Sequence, residues 1–303
     1  MEKTQKKDMS PVRDMTSGNP LSLILAFAVP MLMGTLFQQF YSMVDTIIVG
    51  KFLGVDALAS VGSTGAVNFM VNGFVIGVTA GFAIPVAQQF GAQNYRNMRK
   101  YVANTIWLTI GFSVVMTAVI GALTWKILVW MRTPENIIQG AYNYIFIIFL
   151  GIPVTYLYNL TASIIRALGD SKTPVYFLIL SSLVNIVLDY ISINFLGMGV
   201  AGPACATVIS QGLSGILCVL YMKKKFTILH FQKGEMEFDG RMCLNLCNMG
   251  IPMGLQYSIT AIGSVILQTA VNTLGSVAVA SVTAGQKVSM FFCCVFDALG
   301  GTM

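Results

Sequence analysis

The 303-residue chain is 55% hydrophobic and only 10% charged, with a mean hydropathy of +0.74. Soluble domains carry about a quarter charged residues, so this composition excludes a soluble globular enzyme. The net charge of +6 has no soluble basic domain to hold it, which argues against a nucleic-acid partner and leaves the lipid bilayer as the solvent.

Residues 1–20 are polar and of mixed charge. They read as a cytoplasmic tail, since the apolar segment behind them is too long for a signal peptide. Beyond the tail, no charge occurs between Asp14 and Asp45, between Asp56 and Arg96, between Glu135 and Arg166, or from Met242 to Gln286. A helical crossing needs about 20 apolar residues, and each run holds at least one. The pattern predicts eight spans, near residues 21–50, 58–90, 101–125, 137–165, 174–195, 200–222, 244–272 and 277–303. The basic residues collect on one set of connections: the tail, the 2–3 loop (Arg96, Arg99, Lys100), the 4–5 loop (Arg166, Lys172) and the 6–7 loop. Only Lys51, Lys126 and Arg132 fall on the other side, which puts the N-terminus in the cytoplasm.

The 6–7 loop, residues 223–241, is the only long charged connection and divides a six-span unit (21–222) from a second unit (242–303). The units begin alike. Val29-Pro30-Met31 returns as Ile251-Pro252-Met253, and Leu53-Gly54-Val55-Asp56-Ala57-Leu58-Ala59-Ser60-Val61 as Leu274-Gly275-Ser276-Val277-Ala278-Val279-Ala280-Ser281-Val282, at nearly the same separation. Six spans lie between the copies, so they enter the membrane from the same side as parallel repeats. A chain with two complete units would have about 440 residues and twelve spans, so a truncated chain is the expectation.

Four charges sit inside spans: Asp45, Asp189, Lys287 and Asp297. An ionised group at the membrane centre costs several kcal/mol and needs a partner or a cavity. Gln38, Tyr41, Ser42 and Asp45 recur at helical spacing, as do Ser181, Asn185 and Asp189, and Thr207, Ser210, Gln211 and Ser214. Three such stripes facing inward would surround a wet cavity. Its carboxylates would suit Na⁺ or carry a proton. Pro30 interrupts the first span and is a candidate hinge. The repeat places Ile266 or Leu267 where the first unit has Asp45, so an acid-based site belongs to the first unit alone. The six cysteines lie in or beside apolar segments without zinc spacing, and the single histidine, His230, is in the charged loop. No nucleophile with a base and no metal cluster is apparent, which predicts a transporter rather than an enzyme.

Several segments together resemble the multidrug and toxic compound extrusion (MATE) family. They are Pro30 with Tyr41-x3-Asp45, Gln89-Phe90-Gly91-Ala92, the run from Arg166 to Pro174, and Asn185-x3-Asp189 followed by Gly197-x-Gly199 through Thr207. The resemblance implies an all-α polytopic bundle of two six-helix lobes around a V-shaped cavity, exporting drugs against H⁺ or Na⁺. It implies an ion site formed by Tyr41, Asp45, Asn159, Asn185, Asp189 and Thr207, with no cofactor. Small-molecule xenobiotics and the bilayer would be the partners, and a monomer in a bacterial plasma membrane the setting. Some branches carry an acid in span seven; here Gly254 to Thr260 has none. A flippase for lipid-linked oligosaccharides, or a polysaccharide exporter of the same superfamily, is the runner-up. Such a cavity would need Arg and Lys for phosphates.

Overall fold

The computed structural model describes the backbone of residues 20–302 apart from residue 233. Side chains are described over the same stretch except at 20–28, 31, 291 and 294–302. The expected tail, but for Pro20, and the Asp297 side chain lie outside the described residues.

The chain is an all-α membrane protein. Its long helices are α1 (Pro20–Leu53), α2 (Val55–Gly91), α3 (Tyr95–Trp130), α4 (Glu135–Leu150), α5 (Ile152–Ala167), α6 (Lys172–Asn194), α7 (Ala201–Lys225), α8 (Gly240–Asn272) and α9 (Ser276–Thr302). Helices satisfy every backbone group internally, which is what a hydrocarbon solvent demands. Among the described residues five of them are long and apolar enough to cross a membrane, or six if α4 and α5 count as one. Their outer faces present large apolar side chains such as Val115, Val119, Leu183, Val187, Ile216 and Ile259, in the manner of a lipid-facing surface.

Each expected span falls on a helix, with one correction. The fourth, over residues 137–165, falls on two helices, α4 and α5, which meet at a bend of 48°. Pro153 has no N–H to bond to the preceding turn. Gly151 lets α7 approach closely: a Cβ there would lie 2.5 Å from Val208 Cγ2. The repeat is visible in the backbone. Gly54 between α1 and α2 and Gly275 between α8 and α9 are repeat partners, and their φ angles are 87° and 91°. This left-handed conformation strongly favours glycine.

The loop expected over 223–241 is shorter than its charge suggested. Lys223, Lys224 and Lys225 extend α7, where cations suit the helix C-terminus. Asp239 caps α8 by accepting hydrogen bonds from the Arg241 and Met242 amides. The remaining connection is pinned to α3. Arg99 donates to both oxygens of Glu235, at 2.6 and 2.8 Å, and Trp107 Nε1 donates to the Met236 carbonyl at 3.1 Å. Asn104 Oδ1 accepts from the Asp239 amide at 2.8 Å. The Arg99 guanidinium holds the Glu235 carboxyl at about 2, well below its usual 4.5.

Helices α2 and α8 approach each other backbone to backbone. Gly73, Gly77 and Gly81 recur every four residues on α2; Gly77 and Gly81 face Gly254 and Gly250 on α8, and Gly73 faces Tyr257. A Cβ on Gly77 would lie 2.5 Å from the Met253 carbonyl oxygen, and one on Gly81 2.5 Å from Gly250 Cα. Small residues of this kind let membrane helices pack backbone to backbone.

Candidate functional site

Helices α1, α5, α6 and α7, with α2, surround a polar cavity of about 110 Å³. Gln38 and Tyr41 line it from α1. Thr155, Tyr158 and Asn159 come from α5, Ser181, Ser182 and Asn185 from α6, and Ser210, Gln211 and Ser214 from α7. Asn72 and Ile76 of α2 complete it with Leu178. The bend at Gly151 tilts α5 so that Thr155 and Asn159, one turn apart, both reach the cavity.

Part of the lining is tied down. Thr155 Oγ1 donates to Gln211 Oε1 at 3.0 Å, Ser181 Oγ to the Ser210 carbonyl at 2.6 Å, and Asn159 Nδ2 to the Thr155 carbonyl at 2.8 Å. The rest is not. Both side-chain polar atoms of Asn185 and the Ser214 hydroxyl are buried without a hydrogen-bond partner in the protein. Such groups in a membrane interior are served by water or a bound ion.

The two acids lie one helical turn beyond the cavity lining. Asp45 follows Tyr41 by one turn of α1, and Asp189 follows Asn185 by one turn of α6. Asp189 is fully buried. Their carboxyl groups lie within electrostatic range of each other. Yet neither oxygen of Asp189, nor Oδ1 of Asp45, receives a hydrogen bond from a protein donor. Tyr144 of α4 is buried within electrostatic range of Tyr41 and both carboxyls. Lys287 of α9 donates to Ser42 Oγ at 2.7 Å, one turn before Asp45.

The structure therefore brings Tyr41, Asn159 and Asn185 to one cavity, with Asp45 and Asp189 one turn beyond Tyr41 and Asn185. Thr207 is half-buried on α7, one turn from Gln211, and does not line the cavity. Pro30 lies about four turns before Asp45, and α1 runs through it without a break. Tyr144 and Thr155 are further residues beside the candidate site, outside the polar stripes on α1, α6 and α7; Thr155 stands at helical spacing from Asn159. Among the described residues no group of three or more His, Cys, Asp or Glu is placed to hold a metal ion.

Comparison with known proteins gives three results. The family model described as MatE matches residues 30–191. The probable multidrug resistance protein YoeA of Bacillus subtilis (strain 168) is 32% identical over 272 residues, covering 88% of this chain and 59% of the relative. YpnP of the same organism, also named a probable multidrug resistance protein, is 30% identical over 279 residues, covering 91% and 61%. The solved structure of the MATE multidrug transporter DinF-BH superposes with a TM-score of 0.85 at 22% identity, covering 98% of this chain and 68% of that one. The chain spans about three fifths of the length of these curated relatives.

Proposed function

Because this chain belongs to the MATE family, we propose that it works as a secondary active exporter, moving organic cations or amphiphilic drugs outward against an inward flow of H⁺ or Na⁺. The relatives named as multidrug resistance proteins support the export reading. In this reading residues 21–222 form the first lobe, 223–241 the inter-lobe connection and 242–303 the start of the second. The protein is a monomer in the plasma membrane with its N-terminus in the cytoplasm.

The observation that carries the coupling reading is the buried pair Asp45 and Asp189, one turn beyond a polar cavity, with carboxyl oxygens that no protein donor serves. Two unit charges about 4 Å apart repel by about 4 kcal/mol at an effective dielectric constant of about 20. One proton or one Na⁺ between the carboxylates removes that repulsion, and its loss restores it. Tyr41, Asn159 and Asn185 supply the neighbouring oxygens that a hard cation prefers, with Thr207 one turn away on α7. Drug sites span about 300–1,000 Å³, so a cavity of about 110 Å³ fits an ion with its waters and not a drug. Drug entry therefore requires the helices around the cavity to part, and Pro30 is the candidate hinge in α1. The lining holds no Lys or Arg. This favours organic cations and amphiphiles over the phosphate-bearing cargo of an oligosaccharide flippase.

Asp45→Asn and Asp189→Asn, tested in full-length protein in proteoliposomes, should each abolish ion-driven efflux while leaving the folded yield unchanged. Efflux at the wild-type rate in both variants would remove the coupling role.

A further inference from the structure

Lys287 is a half-buried ammonium in the middle of α9, and its surroundings are unusual for one. Its hydrogen bond goes to a neutral hydroxyl, Ser42 Oγ, across 245 positions of sequence. The charge that acts on it is Asp45. The one ion pair within 4.0 Å among the described residues is Arg99 with Glu235, so the ammonium is held beside Asp45 rather than on it. Ser42 and Asp45 lie one turn apart on the same face of α1. Asp45 Oδ1 has no donor. A lysine head carries three donors on a flexible four-carbon stem, so a rotamer change suffices to move it between the two.

The repeat gives a second, independent reason to read this as built. Asp45 in the first unit corresponds to Ile266 or Leu267 in the second, and Lys287 in the second corresponds to Ala66 in the first. Asp45 and Lys287 are thus in-span charges that each face an uncharged counterpart in the other unit, and they lie where α9 packs against α1.

We propose that Lys287 is a tethered counter-cation for Asp45, supplied by the second unit, which competes with the transported cation for that carboxylate. A cation arriving between Asp45 and Asp189 cancels the charge that holds the ammonium, and the contact between α9 and α1 loosens. When the cation leaves, Lys287 returns and draws the two units together. The proposal rests on the carboxylate-coupling reading and adds the link by which ion binding in the first unit is felt by the second.

The test measures efflux of the organic cation ethidium from proteoliposomes holding the full-length protein, as a function of the driving H⁺ or Na⁺ concentration. Lys287→Met removes the competitor and should lower the half-saturating cation concentration about tenfold, within the 5- to 150-fold range usual for coupled sites. Lys287→Gln keeps a donor for Ser42 without the charge and should shift it equally, which covers a failure of the methionine variant to insert. Lys287→Arg should return it toward the wild-type value. Half-saturation within twofold of wild type in the uncharged variants, with Asp45→Asn inactive, overturns the role of Lys287 alone. Wild-type efflux by Asp45→Asn overturns the coupling reading and this proposal with it.

Discussion

Along the seam of α2 and α8, Gly77, Gly81, Gly250 and Gly254 remove side chains until backbone touches backbone. Along the wall of α1 and α6, Tyr41, Asp45, Asn185 and Asp189 crowd polar side chains between the helices, several without a protein partner. Both surfaces are buried in the same apolar solvent, and both join helices by something other than hydrophobic burial, which lipid does not reward. The seam is stabilised by contact alone and leaves no room for anything else. The wall leaves polar groups unserved, a cost of about 1–3 kcal/mol per buried group that only a bound species or water offsets. The difference teaches where to look for function: the seam is close-packed, and the wall holds the polar groups that an occupant would serve.

The largest expected effect breaks the joint. Gly81→Leu pushes a branched side chain into the backbone of Gly250, with no flexible side chain to give way, and should abolish monodisperse protein in detergent. Gly81→Ala should already lower the thermal midpoint by several degrees, because even one methyl group forces the backbones apart. A wild-type midpoint in Gly81→Ala would show that the seam is not close-packed. On the wall the same measurement should behave oppositely. Asp45→Asn and Asp189→Asn keep the volume and remove a charge, so the midpoint should hold while efflux is lost.

A smaller effect is expected where the inter-unit connection is clasped to α3. Arg99 grips both Glu235 oxygens, in the bidentate geometry that makes such pairs strong. The Glu235 carboxyl is held below its ordinary value, at about 2 instead of 4.5. Its stabilising contribution is therefore complete above about pH 4.5 and is lost as pH falls from there toward about 2. Glu235→Gln should lower the midpoint by a few degrees at pH 7 and flatten this acid dependence, as read by thermal melts across pH. An unchanged acid limb in the variant would mean that the clasp adds nothing.

How much of this was legible in the sequence follows from how each feature announces itself. A charge inside an apolar span is conspicuous, so Asp45 and Asp189 stand out without a structure. Their spacing from Tyr41 and Asn185 gives the stripes that line the cavity. Tyr144 carries no charge to mark it, and only the packing of α4 brings it within range of the acids. The bend at Gly151 has a local cause in Pro153, but a proline can also sit in an unbroken helix, as Pro30 and Pro252 do here. The partner of Lys287 is hidden for a different reason. Spacing along one helix says which residues share a face, and it says nothing of which other helix that face meets.

The most direct test of the account is a count of cations. Equilibrium binding of Na⁺, and proton uptake in its absence, should be measured per chain on purified full-length protein and on the Asp45→Asn/Asp189→Asn double variant. The account predicts one saturable cation or proton in the wild type and its loss in the double variant. Equal binding by the two proteins would contradict it.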